Sequence, residues 1–285
     1  MVNKKALLVG INTYIPPAGP NLSGCVNDVE DMANTLNALE IVPANPGSMR
    51  IITNTRATRD AILEGIKWLI EGAQKDDVLI WYYSGHGSKV ADVSGEDIDG
   101  YDESICPSDV ATAGDLIDDD IREALSGLAQ GAHLEVIFDS CHSGTATREF
   151  RIQAVVPDEP ELAIRYATRY MPPPADWSFF LDSNSTIPRR GIMKPESGKR
   201  EAKPVTELNH VLWAACKDFQ TSSEVDIEGK RRGVFTYHFC KVLRRAGVET
   251  SRRKLDDLVT VNVKSYGQDP QLEGAEEKLD INIFT

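Results

Sequence analysis

At 285 residues, 41% hydrophobic and 26% charged, the chain has the composition of an ordinary globular protein able to bury a substantial core. Its net charge of −13 argues against nucleic acid or an anionic membrane surface as the main partner and suits basic peptides or divalent cations. No stretch approaches the roughly 18 apolar residues of a membrane-spanning helix. The five cysteines (Cys25, Cys106, Cys141, Cys216, Cys240) are odd in number and lack CxxC spacing, which points to a reducing, cytoplasmic setting rather than to disulfides or zinc.

The lysines before Ala6-Leu7-Leu8-Val9 precede a run too short for a signal peptide, so Lys4–Ile11 reads as a first buried strand. Gly24–Leu39 is amphipathic and helical, and Met49–Thr53 is a second strand. Thr58-Arg59-Asp60 opens a helix running to about Glu71. A continuous apolar strand follows at Asp77–Ser84, then a helix over Ile117–Leu128 entered through three aspartates, then a strand at His133–Ser140. This rhythm predicts an α/β fold with a mainly parallel sheet covered on both faces, with functional groups at the carboxyl ends of its strands.

The texture changes at Arg148. Residues 148–205 hold eight of the 15 prolines and ten Arg and Lys against eight Asp and Glu, the composition of a long, partly irregular, exposed insertion. Regular structure resumes with a strand at Leu208–Cys216 and helices at Gly233–Ala246 and near Leu255–Val263. A last strand is expected at Leu279–Phe284. The whole chain reads as one domain, 1–285, made of a first part (1–147), the proline-rich basic insertion (148–205) and a closing part (206–285).

Two strand ends carry chemistry. Tyr83-Ser84-Gly85-His86-Gly87 presents a histidine between glycines, and Asp139-Ser140-Cys141-His142-Ser143-Gly144 presents a cysteine in a turn able to expose its sulfur and aim N–H groups at a carbonyl oxygen. His142 competes with His86 as the base, but adjacent side chains in extended backbone point apart. Residues i and i+2 of a strand share a face, so Ser84 looks the same way as His86, and Asp139 the same way as Cys141. A carboxylate that deep needs a partner. A cationic substrate side chain would serve; so would backbone N–H groups or an internal arginine.

With these segments the chain resembles the metacaspases of the caspase-like cysteine peptidase clan over nearly its whole length. Lys5-Ala6-Leu7-Leu8-Val9-Gly10-Ile11-Asn12, Leu22-Ser23-Gly24-Cys25-Val26-Asn27-Asp28, Ala214-Ala215-Cys216-Lys217-Asp218-Phe219-Gln220-Thr221-Ser222 and Gly233-Val234-Phe235-Thr236-Tyr237 add to the likeness. The resemblance implies a caspase-hemoglobinase-like three-layer sandwich with a mostly parallel sheet of six to eight strands. It implies an endopeptidase with Cys141 as nucleophile, His86 as general acid/base, and the N–H groups of Gly87 and Cys141 as oxyanion hole. It also implies an S1 pocket of Cys25, Asp28, Ser84 and Asp139, taking Arg or Lys because paired carboxylates repel an acid and fork a guanidinium. A catalytically weak interaction or signalling module of the same fold is the alternative, which the complete Cys–His pair disfavours.

Between the two strand ends lies an acid-rich stretch from Asp92 to Asp120 without EF-hand spacing. It reads either as a solvated loop, with Asp118 to Asp120 favoured at a helix start, or as a calcium site. The resemblance carries calcium ligation onto Asp102, Asp118 and Asp119. Its fourth acid falls on Arg148 here, so either Glu149 substitutes after a one-residue shift or the site is weak or lost. No organic cofactor is implied. The expected partners are protein or peptide substrates with a basic P1 residue, acted on by a monomer that uses neither nucleic acid nor membrane. Self-cleavage is expected in the insertion, with Arg190 and Arg200 as P1 residues.

Overall fold

Uninterrupted apolar strands alternate with one-sided helices through the first half of the chain, and that alternation dictates the layering. A computed structural model describes residues 2–91, 101–141, 167–171, 210–216 and 222–285. In chain order the strands are β1 (Lys4–Gly10), β2 (Met49–Thr53), β3 (Val78–Ser84), β4 (Gly87–Ala91), β5 (Tyr101–Ile105), β6 (Leu116–Ile117), β7 (His133–Asp139), β8 (Ala167–Thr168), β9 (His210–Ala214), β10 (Ser223–Ile227), β11 (Lys230–Gly233) and β12 (Gln271–Glu273). The helices are α1 (Cys25–Ala38), α2 (Arg59–Ile70), α3 (Val110–Ala113), α4 (Asp118–Ala124), α5 (Val234–Ala246), α6 (Arg252–Val263) and α7 (Glu276–Leu279).

Six strands form the central sheet in the order β12-β9-β7-β3-β1-β2, parallel throughout except where β12 pairs with β9. Its central strands are buried on both faces, which is why they read as apolar runs. Ala6, Leu8, Ile80, Tyr82 and Ile137 face one core, closed by Val29 and Met32 of α1, Phe235 and Phe239 of α5 and Leu255 and Val259 of α6. Leu7, Val9, Leu79, Trp81 and Val136 face the other, closed by Ile62, Ile66 and Leu69 of α2. The three-layer sandwich expected from the sequence is the fold observed. Among the described residues no helix is long and apolar enough to cross a membrane.

Three expectations need correction. Residues 279–284 are not a strand, although Leu279, Ile283 and Phe284 are buried. The tail is held by the Arg252 guanidinium, which takes the carbonyls of Lys278 and Asn282 at 2.9 Å each, and by a single antiparallel bridge of Asn282 with Ser251, rather than by a strand in a sheet. The helix expected over Ile117–Leu128 stops at Ala124. The insertion, expected to be exposed, is not wholly so: beyond the short strand Ala167–Thr168, Arg169 is completely buried.

Candidate active site

Register places the pocket before any side chain is considered. Ser84 of β3 lies between its strand partners Gly10 of β1 and Asp139 of β7, so three carboxyl-terminal strand ends meet in one row. His86 follows β3 by two residues and Cys141 follows β7 by two, and both are fully buried. Asp28 enters from the first turn of α1 and is also fully buried.

Arg169 fills the space these residues enclose. Its Nη2 lies 2.6 Å from Asp28 Oδ2, and its Nη1 donates to Ser84 Oγ at 2.8 Å and sits 3.1 Å from Asp139 Oδ1. Glu224 of β10 stands 3.7 Å from Nη2 as a third carboxylate. Each acid has further donors. Asp28 accepts from the Gly233 N–H and the Ser84 hydroxyl, Asp139 from the hydroxyls of Ser222 and Thr236, and Glu224 from the N–H groups of Ser23 and Gly24. Burial pushes Asp28 up to about 6 despite the opposing pull of the guanidinium. Burial likewise pushes the Cys25 thiol, inside the same enclosure, up to about 12. Gly233 is required by space alone, since a Cβ there would lie 2.3 Å from Asp139 Oδ2 and 2.8 Å from the Arg169 guanidinium.

The backbone of Arg169 is held as tightly as its side chain. Ala167–Thr168 pairs antiparallel with β10, and the Arg169 N–H donates to Ser222 O at 3.1 Å. The Arg169 carbonyl oxygen accepts from Gly87 N at 2.9 Å and from Cys141 N at 3.4 Å. Two N–H groups on one carbonyl beside a thiol can hold the negative charge that develops when sulfur adds to that carbon. The thiol lies against Ser222, donating to its carbonyl at 3.1 Å and accepting from its N–H.

His86 is aimed by its surroundings. Nε2 lies 2.7 Å from Pro20 O, and a carbonyl can only accept, so in the neutral ring Nε2 carries the hydrogen and Nδ1 the lone pair. The Tyr14 ring packs on the imidazole at 5.0 Å, and its hydroxyl oxygen accepts the His86 N–H at 2.7 Å. Burial pulls His86 down to about 4, with the Pro20 carbonyl pulling the other way, so the ring is neutral at pH 7. A neutral imidazole with a free Nδ1 can take a proton and return it.

Thus Cys141, His86, Gly87, Cys25, Asp28, Ser84 and Asp139 come together in one cleft. Asp118 and Asp119, two of the acids assigned to calcium, do not join them. Asp118 and Asp119 open α4 and share Arg122, with Asp118 at 2.9 Å, while Asp102 is on β5. Glu149, Arg190 and Arg200 lie outside the described residues. Among the described residues no group of three or more His, Cys, Asp or Glu is placed to hold a metal ion. Arg169, Glu224, Ser222 and Pro20 are site residues that the sequence reading did not assign. Tyr-Ala-Thr-Arg-Tyr-Met at 166–171, rich in strand formers amid prolines, is the signal that could have found the first.

Comparison with known proteins bears on what this cleft does. Residues 4–148 match the family model for metacaspase, peptidase C14 domain. Metacaspase-1 of Pyricularia oryzae is 32% identical over 284 residues, covering 94% of this chain and 71% of that protein. Metacaspase-1A of Aspergillus terreus is 32% identical over 99% of this chain and 72% of its own. Among solved structures, a Geobacter sulfurreducens protein superposes with a TM-score of 0.66 at 23% identity, covering 99% of this chain and 98% of that one. Caspase-1 of Spodoptera frugiperda superposes with a TM-score of 0.54 at 13% identity, covering 96% and 87%; both likenesses speak to the fold alone. By sequence the chain belongs to the metacaspase family, and it is a cysteine peptidase with a caspase-like fold.

Proposed function

We propose that this peptidase cuts on the carboxyl side of Arg or Lys, and that its own Arg169–Tyr170 bond is a substrate. The observation that carries the reading is the placement of Arg169, with its guanidinium between Asp28 and Asp139 and its carbonyl oxygen under the N–H groups of Gly87 and Cys141. Asp28, Asp139, Ser84 and Cys25 are then the S1 pocket, joined by Glu224. A guanidinium satisfies two carboxylates at once, whereas an aspartate would bring a further negative charge to three.

The chemistry proposed for this site is acyl transfer through a thioester. His86 Nδ1 takes the Cys141 proton as sulfur bonds to the Arg169 carbonyl carbon, and the charge on oxygen falls to the two N–H groups. Collapse breaks the bond to the Tyr170 nitrogen, which leaves with the proton from His86. Water then adds to the thioester, His86 takes its proton, and the sulfur departs and is reprotonated, leaving the Arg169 carboxylate.

Calcium stimulation belongs to the same proposal. Asp118 and Asp119 offer hard oxygen donors, as Ca²⁺ requires. They begin the helix after β6, which pairs with the strand carrying Asp102. A cation held there by Asp102, Asp118 and Asp119, with Glu149 as a fourth ligand, would displace Arg122 and draw the acids together. The reading is tested with fluorogenic peptides bearing P1 Arg, Lys or Asp, with and without Ca²⁺, against Cys141→Ala. Calcium-stimulated turnover after Arg and Lys is expected, and turnover after Asp would overturn the pocket assignment.

A further inference from the structure

Beyond Arg169 the segment stays bound. Tyr170 forms a parallel bridge with Gly87, and its side chain packs with Cys141 and Cys216. The Met171 N–H donates to Gly87 O at 2.9 Å, and the Ser88 hydroxyl donates to Met171 O at 2.8 Å. The Met171 side chain is only 2% exposed, within the apolar cluster that also holds Tyr14 and Val9. Gly19 forms a close wall of its pocket: a Cβ there would lie 3.0 Å from Met171 Cε, 3.1 Å from Cγ and 3.2 Å from Sδ. Two main-chain anchors and one enclosed apolar side chain make a built subsite, not a trailing end.

We infer that this peptidase also reads its substrates two positions after the cut, taking an unbranched or γ-branched apolar side chain such as Met or Leu at P2′, against Gly19, with its carbonyl on Ser88. The inference rests on Arg169 occupying the P1 position. A charged P2′ residue would have to be desolvated in that pocket without a partner, and a P2′ proline has no N–H for Gly87 O. The site therefore selects by exclusion as well as by fit. Ser88 is a positioning residue for the leaving half of the substrate, since it holds the P2′ main chain and does not touch the reacting atoms.

The test uses the full chain with Ca²⁺ and internally quenched peptides Ala-Thr-Arg-Tyr-X-Gly, in which X is Met, Leu, Asp, Lys or Pro. Burying a side chain of this size in preference to a charge predicts kcat/KM for Met and Leu about 10- to 100-fold above Asp, Lys and Pro, with every cut after Arg. Equal kcat/KM across the series, with cutting still after Arg, would overturn the P2′ subsite and leave the P1 reading standing. Cutting elsewhere in these peptides would overturn both. Ser88→Ala separates anchoring from general damage. It should lower kcat/KM on the Met peptide about tenfold relative to the variant's own rate on an Arg coumarylamide, which has no P2′ residue. An equal fall on both substrates would overturn the anchor.

Discussion

Arg169→Gln asks whether the buried guanidinium drives self-cleavage. Gln is shorter and uncharged, so it forfeits the contacts of Nη2 with Asp28 at 2.6 Å and of Nη1 with Ser84 at 2.8 Å and Asp139 at 3.1 Å. Removing one partner of a buried ion pair costs about 3 to 5 kcal/mol, because the other charge is stranded. Here the stranded charge has an escape. Asp28 is already pushed up to about 6 by burial, and the guanidinium is the main pull downward, so without it Asp28 takes a proton near neutral pH. The loss then falls toward the lower end, about 3 kcal/mol, or roughly a hundredfold in the rate of cutting after residue 169. Arg169→Lys keeps the charge but not the planar fork, and should slow the cut by about tenfold. The assay is N-terminal sequencing and intact mass of the chain incubated with Ca²⁺, following the fragment that begins at Tyr170. If the Arg169→Gln chain released that fragment as fast as the chain with Arg169, the reasoning would be refuted. So would fragments beginning elsewhere while Arg169–Tyr170 stays whole.

Three further outcomes follow from the site and its support. Tyr14→Phe keeps the ring on His86 but leaves the buried His86 N–H without its acceptor, a loss of about 1–3 kcal/mol. It should lower kcat on Arg substrates about tenfold or more with little change in KM, and a loss confined to KM would refute a positioning role. With a guanidinium in the pocket Asp28 is held to about 6, and in an empty pocket it lies higher, so KM for Arg peptides should rise as pH falls from neutrality toward about 6. His86, pulled down to about 4, stays neutral until lower pH, so an acid limb near 6 carried by kcat instead would contradict this. The linked effect on stability has the opposite sense: between 3.8 and about 6 the folded chain holds the Asp28 proton more tightly than the unfolded one, so this group's contribution to stability declines as pH rises. Arg252→Met strands Glu135, which is fully buried on the Arg252 guanidinium and the Trp213 indole, and frees the tail carbonyls of Lys278 and Asn282. Calorimetry should show a fall in Tm on the order of 10 °C, largely recovered in the Glu135→Met, Arg252→Met double variant.

The elements legible in the sequence are those whose causes are local. β1, β2, β3 and β7 announce themselves as apolar runs, and α2 by the Thr58 cap, whose side chain accepts from Ala61 N, together with its apolar stripe. That Ser84 faces with His86, and Asp139 with Cys141, follows from a period of two; that Ser84 and Asp139 lie side by side depends on the register of β3 with β7. What the sequence hides depends on contacts over long separations. Alternation at 279–284 looks like a strand because periodicity does not record that Arg252 holds the backbone. Arg169 sits among prolines, and its partners are 30, 85 and 141 residues away in Asp139, Ser84 and Asp28. Of the two readings of Asp139, the structure shows an internal arginine, and only the proposed function makes that arginine a substrate cation as well. The one local mark that sets Arg169 apart from the other basic residues of the insertion is the run of strand formers around it, Tyr166 to Met171.

A cut at Arg169–Tyr170 does not by itself clear the cleft. Arg169 follows Cys141 on the same side of the cut, 28 residues downstream, so the new carboxyl terminus remains covalently tied to the nucleophile's own chain. A tether of that length holds its end at an effective concentration on the order of millimolar, and a substrate peptide at micromolar concentration competes poorly with it. Release calls for a second cut between Cys141 and Arg169, where the basic residues are Arg148, Arg151 and Arg165. We therefore predict two kinetic phases in the full chain incubated with Ca²⁺. Fragments beginning at Tyr170 should accumulate first with little turnover of Arg peptides, and turnover should rise only as fragments beginning at Glu149, Ile152 or Tyr166 appear. In the triple variant Arg148→Gln, Arg151→Gln, Arg165→Gln, the first cut should proceed while the apparent KM for Arg peptides stays at least tenfold higher, because a tethered product raises KM and leaves kcat alone. Full activity of the triple variant, at wild-type KM, would show that Arg169 leaves S1 once its peptide bond is broken and that one cut suffices.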